Sequence, residues 1–194
     1  MSDPSTRPTD GDVQPLSATA AAEVVTICRD LLRIDSSNFG DNTGPGERKA
    51  AELVAGLLSE VGLDVEFLES APGRASLVAR LEGTDRGRPA LLVHGHLDVV
   101  PASAEDWQVH PFSGEERDGC LWGRGAVDMK DMDAMMIASV RDLVRAGIRP
   151  PRDLVVAFIA DEEAGGEYGA RWLVETRPDL FEGVNEAVSE VGGF

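Results

Sequence analysis

Apolar residues recur along this chain at two periods, and the two alternate. Val24, Ile27, Cys28, Leu31 and Ile34 fall at helical spacing, which predicts a first helix from about residue 20. Ala50, Leu53, Val54, Leu57, Leu58 and Val61 predict a second, and Gly62 supplies the residue that ends it. Short β-type runs follow at residues 65–68, 77–81 and 90–93. Residues 129–146 predict another helix, with Met132, Met136, Val140, Leu143 and Val144 on one side. Its methionines 132, 135 and 136 suit core filling better than a ligand surface. Residues 154–160 (LVVAFIA) are continuously apolar, as in a strand buried on both faces. A shorter helix at 166–175 and a last strand at 186–189 complete the pattern. Helices alternating with buried strands predict an α/β fold, a mostly parallel sheet flanked by helices.

Between these elements the punctuation is clear. Residues 36–46 (SSNFGDNTGPG) read as a loop. Residues 99–125 scatter Trp107, Phe112 and Trp122 among Pro, Gly and charges, as in a folded surface loop with room for a hairpin. Residues 1–17 offer little that could pack and are expected to be a disordered tail. Residues 18–194 carry no repeat and no linker, so they are expected to belong to one domain.

Composition narrows the partners. With 35 acidic and 18 basic residues the net charge is -17. Such a chain lacks the clustered cations that phosphates require, which argues against nucleic acid and against anionic membrane surfaces. No apolar run approaches the ~20 residues of a membrane span, and the first residues lack the pattern of a secretory signal. Two cysteines make no disulfide framework, and Cys28 sits on an apolar helical face. These features predict a cytoplasmic protein.

Three strand-like runs end in groups that can ligate a metal. Residues 90–93 lead into His94, His96 and Asp98; residues 154–160 into Asp161, Glu162 and Glu163; residues 186–189 into Glu190. Ligands of open α/β sheets bind outside the carboxyl ends of strands, so the three groups can converge. Each has an ordinary reading as well. His94, His96 and Asp98 alternate onto one face if the strand continues; they make either the polar end of a strand or a ligand with its orienting carboxylate. Glu162 and Glu163 either open a helix, whose dipole favours acids, or answer a cation that relieves three crowded carboxylates. Asp128, after Gly123-Arg-Gly125, is either an N-cap or a carboxylate on a close-approaching glycine loop. His110 is given no role. Trp107 and Phe112 either border a pocket or simply pack.

Taken together, HGHLDVVP at 94–101, WGRGAVDMKD at 122–131, DEEAGG at 161–166 and SEVGG at 189–193 resemble the two-zinc metallopeptidase family. That family includes aminoacylase, acetylornithine deacetylase, succinyl-diaminopimelate desuccinylase, dipeptidases and glutamate carboxypeptidase. The resemblance runs from about residue 20 to the end. It implies that His96 ligates one zinc and that Asp98 orients His96. Asp128 would bridge two zincs, Glu163 would bind the second, and Glu190 would complete the first. Glu162 would be the general base. Cobalt or manganese also suit such ligands. The implied activity is hydrolysis of the amide of an N-acyl amino acid or small peptide.

Members of that family are about twice as long, with a lid domain and a returning carboxyl-terminal portion that brings a last His ligand. This chain is therefore expected to be the amino-terminal part of the catalytic domain, without the lid and without that His. Two consequences are expected: a weakened second metal position, and an exposed sheet open to self-association or to a complementing chain. A remnant that binds metal or a partner without catalysis is the competing reading. A flavodoxin-like module is disfavoured, because the chain has neither G-x-G-x-x-G nor a Walker pattern.

Overall fold

A computed structural model of the chain describes residues 16–41 and 43–190. The expected disordered tail lies almost wholly outside them. Ser17, at its end, caps helix α1 (Ala18–Leu32), accepting the Ala20 N–H through its hydroxyl. Helix α2 spans Arg48–Glu60, and Gly62 follows it at φ +87°, where a side chain would be strained. Strands β1 (Val65–Ala71) and β2 (Arg74–Leu81) form a hairpin longer at its turn than hydrophobicity alone predicts. Strand β3 is Ala90–His96. The long loop does hold a hairpin, β4 (Glu115–Arg117) with β5 (Cys120–Trp122). Helix α3 (Lys130–Arg145), strand β6 (Leu154–Ile159), short helix α4 (Trp172–Thr176) and strand β7 (Val184–Val188) follow.

The main sheet has the order β1-β2-β6-β3-β7 and is mixed. The parallel part expected from the alternation is β6-β3-β7; β1 and β2 run antiparallel because a tight hairpin joins them and β2 lies beside β6. Helices α1, α2 and α3 cover one face. There Ile27, Leu31, Leu32, Val54, Leu58 and Ile137 bury themselves against Leu77, Val156 and Phe158. The buried stripe of α3 is Ala134, Ile137, Ala138, Val140 and Arg141. It is turned from the expected stripe; Met132, Leu143 and Val144 lie at its margin, and Met135 is exposed. Small residues allow α3 to approach α1 closely. The second face carries a smaller cluster, Leu68, Val78, Val155, Ala157, Ile159 and Leu173. Among the described residues no helix is long and apolar enough to cross a membrane.

Two charged groups sit deep on the helical face. Lys130 is fully buried and donates from Nζ to the carbonyls of Leu31 (3.0 Å) and Ile34 (2.8 Å), satisfying the end of α1. Glu47 and Arg74 form an ion pair of 2.5 Å with neither side chain more than 3% exposed. Burial pushes the Glu47 carboxyl up to about 7, with Arg74 pulling it back. Below about pH 4.5 this carboxyl is protonated in both folded and unfolded chain. Between 4.5 and 7 only the folded protein keeps the proton, so stability falls as pH rises. Glu47→Gln is therefore expected to flatten that fall by roughly 2–3 kcal/mol, which urea denaturation at pH 4.5 and 7.5 will measure.

Candidate metal centre

The parallel strands bring their carboxyl ends together. In register, His96 of β3 lies opposite Ile159 of β6, so the segment after β6 begins where β3 ends. On the other side Val93 pairs with Val188, and Ser189 Oγ donates to the His94 carbonyl (3.0 Å). Glu190 thus arrives beside His96. Asp128 comes from the glycine-bearing segment before α3; its peptide bond to Met129 is cis. It does not cap the helix: Met129 occupies that position, and no side chain bonds there.

His96 is 1% exposed and is the hub. Its Nε2 lies 2.9 Å from Asp128 Oδ1, 3.6 Å from Glu190 Oε1 and 3.8 Å from Glu162 Oε2. The ligand atoms of His96, Asp128 and Glu190 all fall within 4.8 Å of one another. Glu163 is not in that trio. Its Oε1 accepts the Val100 N–H at 3.2 Å, so its carboxylate leans on the long loop. His94 is not there either: it lines an apolar cavity of about 270 Å³ with Leu92, Ile159, Leu173 and Phe181 on the opposite face of the sheet from α3. His110 accepts the Phe112 N–H in the long loop.

Asp98 behaves differently from a simple histidine partner. His96 Nδ1 lies 3.0 Å from the Asp98 main-chain carbonyl and 3.6 Å from Oδ1. The carboxylate accepts the backbone N–H groups of Glu162 and Glu163, both at 3.1 Å. It therefore holds the single 3₁₀ turn Glu162–Ala164, the form taken where a longer helix opening was one reading of the sequence. Asp161, ahead of this turn, sits at φ +66° and is buried, accepting from the Asn38 amide and from the Tyr168 N–H. Of three consecutive acids, one is thus turned inward and satisfied by hydrogen bonds. Asn38 and this role of Asp161 were invisible in the motifs; the one hint was an Asn in the loop preceding α2.

The electrostatics suit a cation. Asp128, Glu162 and Glu190 surround one imidazole. Burial, followed by repulsion from Asp128 and Glu162, raises Glu190, against the pull of His96. Burial raises Glu163, and Asp128 adds to it. Burial disfavours charge on His96, yet the Asp98 carboxylate and carbonyl together with Asp133 outweigh it, and the ring is held up to about 10. Beneath the site, a methyl group on Gly95 would overlap Asp133 Oδ1 and force that side chain to shift. Both oxygens of Asp133 are buried without a hydrogen-bond partner, and burial holds this acid well above the usual carboxylate range. One imidazole nitrogen and several carboxylate oxygens, with negative charge in excess, fit a divalent ion such as zinc.

The fold brings this candidate metal-binding cluster to the carboxyl edge of the sheet. The model of Peptidase family M20/M25/M40 matches residues 92–193, just over half of the chain, and the chain belongs to that family. It is 34% identical to aminoacylase-1 of Sus scrofa over 161 residues, 80% of this chain and 37% of that protein. It is 30% identical to the N-fatty-acyl-amino acid synthase/hydrolase PM20D1 of Xenopus tropicalis, over 84% of this chain and 32% of the relative. Among solved structures, human carnosine dipeptidase 1 superposes with a TM-score of 0.71 at 26% identity, covering 93% of this chain and 42% of the other. The chain thus spans about a third of the length of these curated relatives.

A cation on Nε2 must displace the proton that His96 holds. Up to about pH 10, zinc uptake is therefore expected to release about one proton per ion from this ring, and affinity is expected to rise about tenfold per pH unit. Calorimetric titration at pH 7.5 in buffers of different ionisation enthalpy will count the protons.

Proposed function

We propose that this chain forms part of the catalytic domain of a zinc-dependent amidohydrolase that cleaves the amide of an N-acyl amino acid or small peptide. The observation that carries this reading is the meeting of His96 with Asp128, Glu190 and Glu162 at the ends of three different segments. His96, Asp128 and Glu190 would hold one ion; Asp128 and Glu163 would serve a second. When bound, such ions supply Lewis acidity, acidifying a water and polarising a carbonyl.

The protein's own part is positioning and proton transfer. Glu162 has about half of its side chain exposed, with Oε2 3.8 Å from His96 Nε2, while its backbone is fixed on Asp98. A carboxylate so placed takes the proton of the attacking water and returns it to the leaving amine. Glu163 differs although adjacent: its carboxylate is partly buried and tied to Val100. The aminoacylase and carnosine dipeptidase likenesses support the substrate class. We place the protein in the cytoplasm, a reading supported by Cys28 and Cys120 being free thiols. We also retain pairing with another chain along the exposed edge strand β7 as part of this reading.

A second reading has its own support. With Glu163 outside the trio, the described residues gather one ligand set, as in a metal-binding remnant without turnover. Stoichiometry separates the two. Two zinc ions per chain, with hydrolysis of N-acetylated amino acids falling by roughly 10²–10⁴ in Glu162→Gln while zinc is retained, is the expected outcome. One ion and no turnover would support the remnant, and no zinc uptake by the wild-type chain would overturn both.

A further inference from the structure

Behind His96, away from the exposed carboxylates, runs a line of buried polar side chains: Asp98 and Asp161, then Asn38, Arg74 and Glu47. None is more than 4% exposed. Asn38 stands at the centre. Its Nδ2 donates to Asp98 Oδ2 at 2.8 Å and to Asp161 Oδ1 at 3.0 Å. Its Oδ1 accepts from the Arg74 guanidinium at 3.2 Å and from the Gly40 N–H at 3.0 Å. The amide therefore uses both donors and both acceptor positions. The loop that bears it is laid against the segment after β3: Asn38 donates its backbone N–H to the Val99 carbonyl, and Ser36 Oγ donates to Leu97 O.

The two carboxylates come from different strands, Asp98 from the end of β3 and Asp161 from the end of β6. Both lie within hydrogen-bond distance of one nitrogen, where unscreened they would repel. A neutral NH2 group bridges them with one N–H each. Aspartate at this position would offer no donor, serine only one, and glutamine a longer arm. Asp98 then passes the constraint on, since its carboxylate accepts the Glu162 and Glu163 N–H groups.

We infer that Asn38 is a positioning residue of the metal centre: its side-chain amide clamps Asp98 to Asp161 and so fixes the turn that presents Glu162 and Glu163 beside His96. The clamp itself is independent of metal; its consequence for metal binding rests on the function proposed above. Outer partners of this kind typically change metal affinity 10–100-fold.

Hydrogen exchange of the metal-free full chain tests the clamp directly. In Asn38→Ala and in the near-isosteric Asn38→Asp, the Glu162 and Glu163 amides are expected to exchange at least about tenfold faster. The core amides of Val156 and Phe158 should keep wild-type protection. Wild-type rates at Glu162 and Glu163 in a folded variant would overturn the inference. If neither variant folds, the wild-type chain decides. Its Asn38 side-chain amide protons should exchange with solvent at least about tenfold more slowly than those of an unprotected asparagine amide, and unprotected rates would overturn the clamp. Zinc competition against a chromophoric chelator should show a 10–100-fold loss of affinity in the variants; unchanged affinity would overturn the link to the metal centre. A wild-type chain that takes up no zinc would sink the hydrolase reading, while the exchange rates would still judge Asn38.

Discussion

Asp98 accepts the backbone N–H groups of two residues that lie more than sixty positions away in sequence, and this clasp ties the end of β3 to the turn after β6. A carboxylate with no exposed surface must have its lone pairs occupied, because an unpartnered buried charge is costly. Here the occupants are the two peptide groups that carry Glu162 and Glu163, together with the Asn38 amide. Satisfying the buried acid and aiming the exposed ones are thus one and the same event. His96 leans on the same residue through its main-chain carbonyl.

Much of the architecture was legible because it follows from periodicity. Helices α1 and α2 and the apolar strand β6 announce themselves by spacing. The convergence of His96, Glu162 and Glu190 follows from parallel strands having their ends on one side, whereas Asp128 reaches them from the segment before α3. What stayed hidden was of two kinds. The mixed direction of the sheet depends on which strand lies beside which, and hydrophobic pattern carries no pairing information. The inner polar line of Glu47, Arg74, Asn38 and Asp161 joins residues from a loop, a hairpin and a strand end. Their types are common on surfaces, and only tertiary contacts reveal them as buried. Glu163 shows the converse limit: a motif names a residue, but the direction of its carboxylate is set by a neighbour such as Val100.

The two faces of the sheet are unequally finished. Three helices seal one face, and there Lys130 caps α1 and Glu47 pairs with Arg74, while Asp133 is buried without a hydrogen-bond partner. The other face carries a thinner cluster and the cavity lined by His94 and Phe181. The match covers 37% and 32% of two curated relatives. The candidate trio lies wholly within this chain's described residues, drawing on segments at positions 96, 128 and 190.

Glu190 hangs from β7, an edge strand among the described residues, with every residue but Val184 exposed. Its last anchor is the hydroxyl of Ser189 on the carbonyl of His94. The ribbon that bears this acid is thus laid on β3, so the strand that places His96 also places Glu190.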